Sequence, residues 1–179
     1  MRAVVGLGNP GPEYAATRHN AGFLLADAVA EHWHFPPFRR AERARATEGT
    51  VGGGGTPVRI LKPTTFMNRS GAALASLRAD PTFDATRDLL VLVDDFQIPL
   101  GTFRFQPDGS AGGHNGLKSI EGALQSQQYA RLRIGVGPLP EGIADWAEYV
   151  LAPFEPAQLE AVQALMPAMI EAVEKWLKT

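Results

Sequence analysis

The residues that could do chemistry gather first around His19. Residues 6–23 read GLGNPGPEYAATRHNAGF, a glycine turn and an Asn9-Pro10-Gly11-Pro12 run ahead of the histidine. An imidazole titrates near neutrality, so it can take a proton from water. Such a base works best with a carboxylate that fixes its tautomer and with amide donors for a developing oxyanion. The chain offers Asp94 and Asp95 after the apolar run Leu89–Val93, and Asn9, Asn68 and Asn115 in loops or at caps. That inventory suits ester hydrolysis by water, although asparagines in loops are also plain turn formers. Two other readings of the stretch stand beside this one. The His19 turn is also read as a structural cap. Gly6-x-Gly8-x-x-Gly11 matches a dinucleotide fingerprint, but that motif needs a helix opening at the glycines, and Pro10 and Pro12 oppose it.

Other standard sites drop out. No Gly-x-Ser-x-Gly surrounds Ser70 or Ser110, and the chain has neither a P-loop nor H-E-x-x-H. His32 and His34 lack ligand partners, so neither a metal nor a cofactor is expected. The absence of cysteine excludes disulfides and thiolate metal sites and is compatible with the cytosol. Met1-Arg2 leads directly into an apolar strand, so no leader peptide is expected, and no apolar run approaches membrane-spanning length. The net charge of −2 makes any nucleic-acid site a local basic patch. Arg39, Arg40, Arg43 and Arg45 read as a solvated edge strand in preference to such a patch.

The elements that must position these groups follow from the periodicities. Arg2 to Val5 is a short buried strand. Ala21 opens a helix with Phe23, Leu24, Ala28 and Val29 at helical spacing. The Gly52–Gly55 loop joins two antiparallel strands near residues 51–61. Asn68 or Ser70 caps a helix carrying Leu74 and Leu77, ended by Asp80-Pro81. Leu89 to Val93 is a buried strand, and because side chains alternate, Asp94 and Asp95 cannot both face one cleft. Thr102, Arg104 and Gln106 share one face of an antiparallel strand, with Phe103 and Phe105 packing on the other. A mobile glycine loop over 108–116 leads into a helix with Leu117, Ile120 and Leu124. Arg131 to Val136 is a further strand, residues 144–151 are helical, and a last helix from Pro156 bends at Pro167. Strands and helices alternate throughout the 179 residues. The expected fold is a single three-layer α/β domain, a mixed, mostly parallel sheet flanked by helices.

The segments GLGNPGPEYAATRHNAGF, KPTTFMNRSG, LVLVDDFQIPLG, SAGGHNGLKSI and RLRIGVGP together resemble the bacterial peptidyl-tRNA hydrolase family, collinearly over nearly the whole chain. The resemblance implies a monomeric, cytoplasmic hydrolase that needs no metal. Its partner would be peptidyl-tRNA, whose ester between peptide and 3'-terminal ribose it cleaves, recycling the tRNA. By motif position, His19 resembles the general base and Asp94 the acid that keeps it basic. Asn9 is similar to the residue that helps separate blocked from free aminoacyl-tRNA. Phe66, Met67 and Asn68 resemble the substrate-contacting set, Tyr14 and Asn115 the tRNA-contacting positions, and Arg104 and Arg133 basic positions of the family. His114 reads as structural. Departures are Gln106 and Pro138, where basic residues are common, the acids Glu141, Asp145 and Glu148, and the lack of a basic tail. The second reading is an RNA-splicing partner of the same fold with no required hydrolase activity. A nicotinamide enzyme is a distant third.

Overall fold

The apolar runs become seven strands in a computed structural model that describes all of residues 1–179: β1 (Arg2–Gly6), β2 (Arg39–Ala41), β3 (Ala44–Val51), β4 (Thr56–Pro63), β5 (Leu89–Pro99), β6 (Phe103–Gln106) and β7 (Ala130–Gly137). They form one sheet in the order β2-β3-β4-β1-β5-β7-β6. The central strands β4, β1, β5 and β7 run parallel. β2 and β3 return antiparallel on one side, and β6 on the other. The expected mixed, mostly parallel sheet is therefore present, with its antiparallel strands where the hairpin signals put them.

The helices are α1 (Ala21–His32), α2 (Ala75–Arg78), α3 (Ala85–Asp88), α4 (Asn115–Leu124), α5 (Trp146–Leu151) and α6 (Pro156–Leu177). Alternation along the strands divides the core in two. Val4, Ile60, Leu90, Leu92 and Ile134 pack under α1 and α6. Ala3, Val5, Val91 and Val93 pack under α4 and the segment holding Met67, Leu74 and Leu77.

Three local features go beyond or against the sequence reading. The face of α1 that is fully buried is Ala21, Gly22, Leu25, Ala26, Val29 and Ala30, while Phe23, Leu24 and Ala28 are less covered. Small residues let α1 lie against the strand ends: a Cβ on Gly22 would run into the backbone of Leu7 and the carbonyl of Leu92. Second, Met67–Leu74 forms 3₁₀ turns broken at Arg69, and only Ala75–Arg78 is α-helical. Neither Asn68 nor Ser70 caps it. The Ser70 hydroxyl instead donates to the Met67 carbonyl at 2.7 Å, and Gly71 packs onto the carbonyl of Ser119 in α4. Third, Phe103 packs against the α1/α6 core, but Phe105 stays 40% exposed, because β6 closes the sheet at its edge.

Candidate active site

Asp94 lies on β5 beyond the apolar run and is almost fully buried. His19, in a single 3₁₀ turn ahead of α1, brings its Nδ1 to 2.8 Å from Asp94 Oδ2. His114 brings Nε2 to 2.9 Å from Oδ1. His114 also caps α4: its Nδ1 accepts the backbone N–H groups of Gly116 (3.0 Å) and Leu117 (3.3 Å). A nitrogen that accepts two N–H bonds carries no proton, so the His114 proton sits on Nε2, donating to Asp94. Asp94 in turn accepts Nδ1–H from His19, which leaves His19 Nε2 with a free lone pair. Burial pushes the Asp94 carboxyl up, but the His19 and His114 rings outweigh it and hold the group well below the usual carboxylate range. Asp95 points the other way, accepting Gln97 N–H at 2.8 Å and facing Arg133 at 3.5 Å.

Asn9 is fixed as tightly. The Asn20 side chain accepts Asn9 N–H at 2.8 Å and donates to the Asn9 carbonyl at 3.0 Å. Asn9 Oδ1 accepts the backbone N–H of Met67 at 2.8 Å. That bond assigns the amide: its oxygen is used, and Nδ2 remains a free pair of donors. His19, Asn9, Met67, Asn68, Asn115 and Phe66 all line one cavity of about 220 Å³. Trp146, Ala147, Val150 and Leu151 of α5 form its opposite wall. Phe66 sits in left-handed backbone (φ 63°), is half exposed, and meets the Tyr14 ring edge-on at 6.3 Å. Such backbone costs of order 1–3 kcal/mol in a non-glycine residue and clusters at functional sites.

The wall is tied to the histidine through Arg18. Its guanidinium lies 4.0 Å from the centre of the Tyr149 ring and donates to the Tyr149 carbonyl (3.0 Å) and Gln158 Oε1 (2.8 Å). Its buried Nε has no partner. The aromatic stack of Phe96 on Trp146, at 5.7 Å, adds a second tie.

The sequence model of the family described as peptidyl-tRNA hydrolase matches residues 3–179. The chain belongs to the peptidyl-tRNA hydrolase family. It is 45% identical to the peptidyl-tRNA hydrolase of Gemmatimonas aurantiaca, over 99% of this chain and 93% of that protein. Against the Koribacter versatilis peptidyl-tRNA hydrolase it is 40% identical, over 99% and 87%. The crystal structure of the Acinetobacter baumannii peptidyl-tRNA hydrolase superposes with a TM-score of 0.89 at 29% identity, covering 99% of this chain and 89% of that one. The splicing-partner reading finds no support among these relatives, and α1 opens at Ala21, ten residues past Gly11, so the dinucleotide fingerprint is a coincidence of spacing.

Two residues expected at the tRNA surface of this peptidyl-tRNA hydrolase family member behave differently from each other. Arg104 is exposed at the edge strand and lines a separate hollow of about 290 Å³. Arg133, directly opposite it in register, is buried and already committed. Its Nε donates to Gln106 (2.9 Å), its NH2 group donates to the Ser110 carbonyl (2.8 Å), and it pairs with Asp95. It therefore pins the glycine loop from below and does not offer a free cation beside Arg104. Gln106 is engaged in the same way. Sequence reasoning missed Asn20, Arg18 and the α5 wall. Asn20 and Arg18 flank His19 and read as ordinary polar neighbours, and the wall is joined to the site only by tertiary contacts.

Proposed function

We propose that the protein hydrolyses the ester between a peptide, or an N-blocked aminoacyl group, and the 3'-terminal ribose of tRNA. The observation that carries this reading is the His19–Asp94 pair, which leaves His19 Nε2 bare beside a cavity into which Asn9 presents amide donors. His19 Nε2 takes a proton from water, and the hydroxide attacks the ester carbonyl. Asp94 stabilises the imidazolium that forms. The oxyanion takes a hydrogen bond from Asn9 Nδ2, with Asn115 and Asn68 as further donors to the substrate. On collapse the ribose oxygen leaves with the proton held on His19, and the carboxylic acid is released.

Phe66, Met67 and Tyr14 supply apolar and aromatic contact to the acyl-ribose end. Arg104 meets tRNA phosphate from the edge strand, with Arg133 beneath it as a support. The reaction needs no metal. His19, Asp94 and His114 place potential ligand atoms within 4.8 Å of one another, but the His114 nitrogen facing Asp94 holds its proton as long as its other nitrogen caps α4. No helix is long and apolar enough to cross a membrane, and a cytoplasmic monomer acting on free peptidyl-tRNA fits this chemistry. The test is release of tRNA from an N-blocked aminoacyl-tRNA in the presence of a chelator and without cofactor. Wild-type protein should turn over, and His19→Ala should not; activity that depends on added metal would overturn the mechanism.

A further inference from the structure

The site and the Arg104 hollow leave one concentration of charge unused. Residues 39–78 carry eight cations, Arg39, Arg40, Arg43, Arg45, Arg59, Lys62, Arg69 and Arg78, against two carboxylates, Glu42 and Glu48. Residues 141–179 reverse the balance, with seven carboxylates (Glu141, Asp145, Glu148, Glu155, Glu160, Glu171 and Glu174) against Lys175 and Lys178. The net charge of −2 thus hides two segments of opposite charge.

Within the basic region the sheet aligns like charges. Arg40 of β2 stands directly opposite Arg45 of β3, and Arg45 directly opposite Lys62 of β4. Directly opposed side chains project from the same face with Cβ atoms about 5 Å apart, and like charges so placed are destabilising. Only Lys62 is compensated, by Asp27 at 2.6 Å. Arg39, Arg40, Arg43 and Arg45 are exposed and none has a carboxylate within ion-pair distance. Arg43 adds a backbone cost, holding left-handed geometry (φ 56°) in the β2–β3 hairpin turn, where glycine or asparagine fits without strain. A solvated edge strand needs a few charges and does not need three cations in register.

Position completes the argument. Arg45 and Lys62 line a cleft of about 300 Å³ with Phe23, Asp27, Pro10 and Asn9. Asn9 is also a wall of the active-site cavity, so the two hollows adjoin across one residue. The row begins beside the site and runs outward to the β2 edge, on the side opposite Arg104.

We propose that the cross-strand row Arg40–Arg45–Lys62, with Arg43 at its rim, is a second RNA-backbone contact that grips the tRNA part of the substrate on the far side of the active site. The choice of tRNA as the polyanion rests on the proposed hydrolase function. A row of cations of which only Lys62 has a carboxylate partner suits a phosphate chain, which releases counterions on binding.

The test uses the full chain, Arg40→Gln/Arg45→Gln, and deacylated tRNA titrated across salt concentrations. Loss of two phosphate contacts should flatten the slope of log affinity against log salt by roughly 1.4–1.8 and weaken low-salt affinity roughly tenfold. Turnover of an N-blocked aminoacyl ester of a single nucleotide should be unchanged. The unfolding midpoint without RNA should hold or rise, because like-charge opposition is relieved. A control, Lys178→Gln, should leave the slope alone. Superimposable slopes for wild type and the double variant would overturn the proposal. So would a marked fall in the unfolding midpoint, or equally tight binding of poly-glutamate, which would point to an acidic protein. Because binding is read on deacylated tRNA, a wild-type protein that binds but does not hydrolyse would sink the proposed function and leave this result standing.

Discussion

His114, Asp94 and His19 form a hydrogen-bond chain with a direction, set at one end by the first turn of α4. The helix N–H groups occupy His114 Nδ1, His114 donates to Asp94, and His19 is left with its donor inward and its acceptor outward. Removing the proposed base, His19→Ala, should cost roughly 10²–10⁴ in turnover while tRNA affinity survives; steady-state kinetics and a binding titration check both halves. Asp94→Asn should lower turnover strongly and Asp95→Asn little, and equal losses would refute the assignment. Asp94 also sets a pH dependence. Its folded pKa is depressed, so its stabilisation is fully present above the ordinary carboxylate value, about 4, and fades as pH falls toward the folded value. Urea midpoints measured from pH 6 to pH 2 should therefore fall more steeply for wild type than for Asp94→Asn. At this scale the sequence is informative: alternation sets Asp94 and Asp95 on opposite faces, and the resemblance to the family singles out Asp94. It conceals that the cap also orders the His19–Asp94 pair, because that order passes through two contacts between distant segments: His114 meets Asp94 across 20 residues, and His19 meets the same carboxylate across 75.

At the scale of elements, the site depends on close approach. Gly22→Ala would force α1 off the backbone of Leu7 and Leu92, and an overpacked core of this kind costs about 1–3 kcal/mol; denaturant unfolding should register it, with activity falling as the His19 turn shifts. Arg18 carries a different load, the hold on the α5 wall. Arg18→Met should raise KM with kcat little changed, and Arg18→Lys should not rescue it, since lysine lacks the planar fork that stacks on Tyr149 while donating to two partners. The strands were legible because their apolar runs and turns are local signals. The 3₁₀ turns over Met67–Leu74 were not, because Gly71 against Ser119 is a contact between distant segments. Helical spacing locates α1 but not the residues of closest approach, because packing against strand ends favours Ala and Gly over the larger Phe23 and Leu24.

For the whole molecule, charge and connectivity matter most. Arg104→Ala should flatten the salt slope of tRNA affinity by roughly 0.7–0.9 with saturated turnover unchanged. Gln106→Lys should not simply add a contact, because it replaces the acceptor that holds Arg133 Nε with another cation; a gain in low-salt affinity without loss of stability would contradict this. Finally, β1 is the first strand in the sequence and lies in the middle of the sheet, pairing Arg2–Val5 with Val58–Leu61 and Ala3–Gly6 with Leu89–Leu92. During synthesis its apolar residues leave the ribosome well before either neighbour exists, and such unpaired strands are prone to aggregation. His19 likewise waits for Asp94 and then for the cap at His114. A nascent chain arrested between residues 94 and 114 holds His19, the proposed base, and Asp94 but lacks the His114 cap, so the appearance of esterase activity during translation would report completion of the fold.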